Sequence, residues 1–334
     1  MQTILAYRFS AFGDVLLTIP VLMGVLHDHE EVRIIMITRI QFAGYFPKHE
    51  RLEVVGIDLH KGKTSLGALL VRVNKIARTE SIDAVADLHS VIRSHVLNSY
   101  FILKGVKLAR IKKSRKGRRQ FLKGKREISI PSVSKIYNEV FEKLGFPSCP
   151  IIHPYKVSIH KKDKKDPKNR IGIAPLSKHA TKNWPLSYTQ KLISLLSERF
   201  SAEIFLFGSQ EEHGILASMR GNKLNNMAGS LSSREEIELI SSLDLMISLD
   251  SANMHLANLT GIPVLSIWGG THPDMGFKPD NQPDEYLIQT NLDLACRPCS
   301  VFGTSECKLG STPLICLTSI SPENISDKIE SILC

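Results

Sequence analysis

Two aspartates stand where an apolar run gives way to a helical pattern. One is Asp14, in Arg8-Phe-Ser10-Ala-Phe-Gly13-Asp14-Val; the other is Asp250, in Leu245-Met-Ile-Ser-Leu-Asp250-Ser251-Ala252-Asn-Met-His255. A carboxylate at such a junction can accept a proton in a reaction or cap the helix that follows, and the local pattern leaves both roles open. Beside Asp250, the unpaired N–H groups that begin the helix at Ser251 and Ala252 suit a phosphate. His255, on the first helical turn, is more often a packed core histidine than a ligand. A third stretch, Pro175-Leu-Ser177-Lys178-His-Ala-Thr181-Lys182-Asn-Trp184-Pro185, comes directly after an apolar strand. Its hydroxyls, lysines and tryptophan suit a polyanionic ligand.

The elements that must position these residues follow from periodicity. Residues 245–249 and 263–267 read as buried strands, with a helix over 251–260 between them; Gly261 stops that helix and Pro263 opens the second strand. Two almost wholly apolar strands joined by a short helix make a βαβ unit of a parallel sheet. Further strands are predicted at 3–8, 32–38, 52–57, 82–88, 170–174 and 203–207. Helices are predicted at 15–26 (with Pro20 as a kink or a late start), 40–46, 65–79, up to 103, 132–145, 187–199 and 233–242. Ser187-x-x-Gln190 and Ser232-x-x-Glu235 read as capping boxes. This alternation predicts an α/β doubly wound architecture. A length of 334 residues suits two domains. They are expected at 1–160 and 170–320, with a charged, proline-containing linker over 161–169. A last helix over 321–334 could pack back on the first domain. Gly62-Lys63-Thr64 looks like the end of a P-loop, but the glycine required five residues earlier is Ile57, so the spacing fails. No G-x-G-x-x-G follows a strand, which argues against a nicotinamide dehydrogenase.

The net charge of +10 is concentrated in one place. Residues 104–126 hold 12 Lys or Arg and no acid, while the rest of the chain carries 31 basic against 33 acidic residues. Such a block attracts polyanions or an anionic membrane surface; the plainer alternative is a solvated loop. No apolar run approaches the ~20 residues needed to span a bilayer, and the opening residues run straight into a strand without a basic leader. The expectation is a cytoplasmic protein. Cys296, Cys299, Cys307 and Cys316 cluster within 21 residues. Four thiols can hold structural zinc, although only the first pair has the usual C-x2-C spacing; reduced thiols or redox-dependent pairing are the other readings.

Taken together, four blocks resemble glycosyltransferase family 9, the ADP-heptose:lipopolysaccharide heptosyltransferases. They are Arg8 to Pro20, Asp87-Leu-His-Ser-Val-Ile-Arg93-Ser94, Lys178-His-Ala-Thr-Lys182-Asn-Trp-Pro185, and Asp250-Ser-Ala-Asn-Met-His255 with the Gly261 to Pro273 run after it. The resemblance implies a GT-B type fold, two Rossmann-like domains facing across a cleft, and an inverting transfer that needs no metal or other cofactor. It implies Asp14 as the base, with Ser10, Gly13 and Arg93 near the acceptor. Arg72 and Lys75 either join Arg93 against acidic sugars such as Kdo or form a solvated helix face. On the donor side it implies Ser177, Lys178, Thr181, Lys182, Asp250, Ser251, Ala252 and His255 around the diphosphate of a nucleotide-sugar. Lys182 would meet the charge of the leaving group, Glu212 the ribose, and Met227 and Leu231 the adenine. ADP-heptose is the donor implied and an anionic glycolipid the acceptor, with peripheral membrane contact through 104–126 and no nucleic-acid partner. Another nucleotide-sugar, or a non-catalytic polyanion- or glycolipid-binding protein on the same fold, is the competing reading. Ser177 and Lys178 stand where the family commonly has neighbouring threonines, and Ala252 stands where it has glycine.

Overall fold

The computed structural model describes residues 1–59, 66–147, 149–155, 169–310 and 314–333. The Gly62-Lys63-Thr64 stretch and most of the 161–169 linker lie outside the described residues. The chain forms two compact units: Met1–Lys113 with Pro131–Pro154, and Ser114–Ile130 with Tyr155–Cys334.

The first unit is built on a five-stranded parallel sheet of order β3-β2-β1-β4-β5. Its strands are β1 (Gln2–Tyr7), β2 (Val32–Arg39), β3 (Leu52–Ile57), β4 (Ala84–Asp87) and β5 (Lys107–Arg110). β1 and β2 are buried almost throughout, as continuous apolar runs in a sheet covered on both faces require. Between the five strands run α1 (Phe12–Leu16), α2 (Ile19–Asp28), α3 (Ile40–Ala43), α4 (Leu66–Thr79) and α5 (Ile92–Leu103). Pro20 falls in the first turn of α2, where its missing N–H is no loss, so the helix predicted over 15–26 is two helices. After β5 the chain forms α6 (Arg115–Leu122) and then α7 (Val133–Leu144).

The second unit is a six-stranded sheet of order β11-β10-β9-β6-β7-β8. Its strands are β6 (Arg170–Ala174), β7 (Glu203–Leu206), β8 (Leu224–Asn226), β9 (Leu245–Leu249), β10 (Val264–Trp268) and β11 (Leu287–Gln289), all parallel. Its helices include α8 (Leu186–Phe200), α9 (His213–Leu216), α10 (Ser233–Ser241), α11 (Ala252–Leu259), α12 (Ile315–Thr318) and α13 (Pro322–Leu333). The strand order reverses between β6 and β9. That is the switch point outside whose carboxyl ends open α/β sheets bind ligands.

Three expectations need correction. Pro185 takes the cap of α8, so Ser187 lies inside the first turn and no box forms; Gln190 instead bonds the N–H and C=O of Arg220. The Ser232–Glu235 box does form. Second, the basic segment is not one solvated loop of the first unit. Its first part forms β5, and residues 114–130 belong to the second unit. α6 is anchored there by Phe121, 1 % exposed, and by Arg118. The Arg118 guanidinium lies 4.4 Å from the Phe277 ring centroid and donates from Nε to Met275 O at 3.0 Å. Third, α13 buries Ile325 and Ile329 in the core of the second unit and lies against α8, where Arg199 pairs with Asp327. Its apolar face is committed to that core.

That placement predicts the effect of Ile329→Ala. A side chain with no exposed surface truncated in a packed core costs about 2–5 kcal/mol, read as an earlier denaturant transition of the second unit.

Candidate functional site

In the first unit the polar residues gather at the carboxyl edge of the sheet. Asp14 sits on the first turn of α1. Its Oδ2 accepts the Ala11 N–H at 3.2 Å and pairs with Arg8 Nη2 at 2.5 Å. Capping and a chemical role are therefore compatible: Oδ2 is taken by the helix start and the guanidinium, and among the described residues nothing bonds to Oδ1. Arg8 is itself buried and donates from Nη1 to Leu88 O at 2.8 Å. It thereby ties the Asp14 turn to the loop after β4. That loop is organised by Asp87, which has no exposed surface. The Asp87 carboxylate accepts four bonds, from His89 N, Ser90 N, Ser94 Oγ and Asn98 Nδ2, at 2.7–2.9 Å. Asp87 therefore holds the loop, with both carboxylate oxygens engaged.

His89, carried on that loop, is the residue the sequence reading missed here. It is buried, and Ser10 Oγ lies 3.4 Å from its Nε2. Burial above all, then the charges of Arg8, Lys113, Arg39 and Arg93, lowers its pKa to about 3. The ring is therefore neutral, inside a cluster of four cations from the ends of β1, β2 and β5 and the start of α5. Three buried donor or acceptor atoms there, Arg8 Nε, Arg39 Nε and His89 Nδ1, have no hydrogen-bond partner among the described residues. Buried polar atoms are rarely left so, and three positions with unspent hydrogen-bonding capacity beside four cations suit an anionic group chemically. Arg93 belongs to this cluster. Gly13 lies in α1, half-buried, beside Asp14. Arg72 and Lys75 are exposed on α4 and are not among the charges acting on His89.

In the second unit the site lines the switch point. Lys182 ends a 3-10 turn after β6 and reaches Asp250 at the end of β9. Its Nζ lies 2.8 Å from Asp250 Oδ2 and 3.2 Å from Asp250 O. Thr271 Oγ1, from the loop after β10, donates to the same Oδ2 at 2.7 Å. The lysine stem is flanked by Gly303, whose φ is +79°; a Cβ there would stand 2.8 Å from Lys182 Cε. Ser251 is the N-cap of α11, and its hydroxyl lies 3.2 Å from Ser248 Oγ instead of closing on the helix. Among the described residues the first amides of α11 thus receive no side-chain cap. Ala252 is half-buried beside it, while His255 is 6 % exposed. His179, which sequence reasoning passed over, lies near Lys182, Lys178 and Asp250. Burial first, then the two lysines, lowers its pKa.

The other expected donor residues are distributed along the same edge. Thr181 turns inward: its hydroxyl donates to Gly303 O at 2.8 Å and its carbonyl accepts from Gly270 N, so it shapes the loop rather than presenting its hydroxyl. Ser177 is half-buried, with its N–H on Asn183 Oδ1, and Lys178 is exposed. Glu212 follows β7 and accepts the Ser209 N–H at 2.7 Å through Oε2. Met227 and Leu231 follow β8, both half-buried. The four clustered cysteines line one small cavity with Arg297, Thr181 and Gly270. No disulfide forms among the described cysteines, and among the described residues no three His, Cys, Asp or Glu are arranged to hold a metal ion. Burial, then the neighbouring thiols, pushes the Cys299 thiol up to about 11, so it stays protonated at neutral pH.

Comparison with known proteins places this geometry in context. The family model Glycosyltransferase family 9 (heptosyltransferase) matches residues 70–307. The chain is 27% identical over 177 residues to a lipooligosaccharide heptosyltransferase 2 of Campylobacter jejuni, covering 50% of this chain and 52% of that protein. The match thus spans about half the length of the curated relative. Among solved structures, a family 9 glycosyl transferase from Veillonella parvula superposes with a TM-score of 0.76 at 17% identity, over 99% of this chain and 97% of the other. E. coli ADP-heptose lps heptosyltransferase II gives 0.68 at 15% identity, over 100% and 98%. E. coli heptosyltransferase WaaC with ADP gives 0.67 at 15%, over 99% and 100%. At these identities the likeness is one of fold.

The His89 environment yields a pH prediction. The unfolded chain protonates this histidine near pH 6.5 and the folded chain only near 3. Between those values the unfolded state holds more protons, and stability falls as pH drops. His89→Gln is expected to flatten the slope by up to about 1.4 kcal/mol per pH unit, measured by denaturation at several pH values between 6.5 and 4.

Proposed function

This chain belongs to glycosyltransferase family 9, and from that premise we propose that it is an inverting, metal-independent glycosyltransferase. It moves heptose from ADP-heptose onto an anionic acceptor of the lipopolysaccharide-core or lipooligosaccharide type. The observation that carries the reading is the Lys182 ammonium, pinned to buried Asp250 beside the uncapped first turn of α11. An ammonium has three donors. Two are directed at Asp250 Oδ2 and O, which leaves one for a diphosphate oxygen. As the glycosidic bond breaks, negative charge grows on the departing ADP. Lys182 and the amides at Ser251 and Ala252 meet that charge in a largely dry setting, where such donors count for more than in water. No metal is required for this role. Glu212, with Oε2 fixed by Ser209, offers Oε1 to the ribose hydroxyls, and Met227 and Leu231 flank the base.

On the acceptor side Asp14 takes the proton of the attacking hydroxyl at Oδ1. Arg8 holds the carboxylate's orientation through Oδ2, and His89 and Ser10 place the sugar hydroxyls. The orphaned donors of Arg8 and Arg39, together with Arg93, match a phosphate or carboxylate on the acceptor. The exposed cations of the basic segment, among them Lys104, Lys112, Lys116, Arg119 and Lys123, meet anionic headgroups at the membrane surface. Each contributes about 1 kcal/mol near such a surface. No helix among the described residues is long and apolar enough to cross a membrane.

Two measurements test the reading. Asp14→Asn is expected to lower kcat about 10²–10⁴-fold, the usual contribution of a general base, with ADP affinity unchanged; full turnover would remove Asp14 from the reaction. ADP is expected to raise the Tm of the protein well above what UDP or GDP does at equal concentration, since a ligand at 100 times its Kd stabilises by about 2.7 kcal/mol. A larger shift with UDP or GDP would reassign the donor.

A further inference from the structure

Arg297 lies in Cys296-Arg-Pro-Cys299, after β11, outside every residue assigned above to donor or acceptor. Its guanidinium faces no carboxylate among the described residues. Instead it donates from Nε to Gly269 O at 2.7 Å, and from Nη2 to Trp268 O and Thr271 O at 3.2 Å each and to Gln289 Oε1 at 2.8 Å. Burial lowers its pKa, with the thiols of Cys316, Cys299 and Cys296 close by. A guanidinium withdrawn from water without a counter-charge is costly, and here every recorded bond but one goes to the carbonyls of a single loop, 268–271. The same loop is clamped through its backbone, by Cys299 N on Gly270 O at 2.8 Å and by Gly270 N on Thr181 O at 2.9 Å. Gly269 has no room for a side chain, since a Cβ would meet Leu317 at 2.7 Å, and at Gly270 a Cβ would be tight against Thr181 at 3.1 Å. What emerges from the clamp is Thr271, 1 % exposed, whose hydroxyl bonds the Asp250 oxygen that also holds Lys182.

We propose that Arg297 is a positioning residue for the transfer reaction, fixing the 268–271 loop so that Thr271 locks Asp250 and Asp250 holds the Lys182 ammonium where the diphosphate departs. The proposal rests on the reading of Lys182 as the cation that meets the leaving group. A lysine at 297 keeps the charge but cannot reach three carbonyls from a planar fork. With the loop loosened, the Asp250 carboxylate rotates and the ammonium samples other positions, a loss felt most when charge develops.

The test is a double-mutant cycle of Arg297→Lys and Thr271→Val with two readouts. The first is turnover with ADP-heptose and a lipopolysaccharide-core acceptor, normalised to folded protein. Arg297→Lys is expected to lower kcat about tenfold with donor KM within about threefold, the mark of an interaction that matters in the transition state. In the Thr271→Val background it adds little, because the two act in series. The second readout needs no reaction: the rate at which acetic anhydride modifies the Lys182 amine in the unliganded protein, followed by peptide mass spectrometry. It is expected to rise severalfold in both single variants and no further in the double. Multiplicative effects on kcat, or a Lys182 labelling rate unchanged by Arg297→Lys, would overturn the proposal. A parallel Lys182→Ala variant separates the two levels: if it turns over normally, the role given to Lys182 fails, while the labelling rates still decide whether Arg297 positions that amine.

Discussion

The second unit depends on the burial of an ion pair at the open edge of its sheet. Lys182 and Asp250 are 12% and 8% exposed at their side chains, and withdrawing two such charges from water costs several kcal/mol per ion unless their remaining hydrogen-bonding capacity is met. The surroundings are arranged to that end. Thr271 bonds the carboxylate, the Asp250 carbonyl takes a second ammonium hydrogen, and Gly303 lies against the lysine stem. These partners come from four separate loops. The pair is fully surrounded only when β6, β9, β10 and the segment around residue 303 are all in place, so the demand of burial and the demand of a fixed cation are met by the same contacts.

The first unit solves a similar problem with the roles divided. Asp87 is the buried carboxylate, satisfied by four donors, and it holds the loop that carries His89. Asp14 stands at the rim with 25% of its side chain exposed. Arg8 connects them, with one nitrogen on the Asp14 carboxylate and another on Leu88 O. A carboxylate satisfied four times over is a poor proton acceptor. One with an oxygen left to a substrate is a reasonable candidate, which is why the two aspartates of this unit are assigned opposite tasks.

Much of this was legible in the sequence because it is local. The strands at 3–8, 245–249 and 263–267 are apolar runs that a doubly wound sheet requires, and Asp14, Lys182 and Asp250 stand in the polar stretches that follow such runs. What stayed hidden is what the fold brings together from far apart. Thr181 reaches Gly303 across 122 positions and Arg118 reaches Met275 across 157; no spacing rule finds such pairs. Thr181 therefore reads as a ligand hydroxyl until its partner is seen. The basic segment misleads for a different reason. Its charges dominate the composition, and the single aromatic that anchors it, Phe121, carries no periodicity to announce a helix. His89 was visible as a residue, but its neutrality is set by burial and by cations on β1, β2, β5 and α5, which only the assembled edge supplies. Ser187 shows the reverse case, a correct local motif overridden when Pro185 starts the helix one residue earlier.

The course of the chain through residues 113–155 carries a topological implication. Because Ser114–Ile130 belongs with Tyr155–Cys334 while Pro131–Pro154 returns to the first unit, the polypeptide passes from one unit to the other three times. No single cut separates the two units cleanly: a fragment starting at Tyr155 would lack α6 and leave Phe277 and His272 bare of Arg118 and Phe121. Any swapping of one lobe between relatives has to carry the stitch at 114–130 with it.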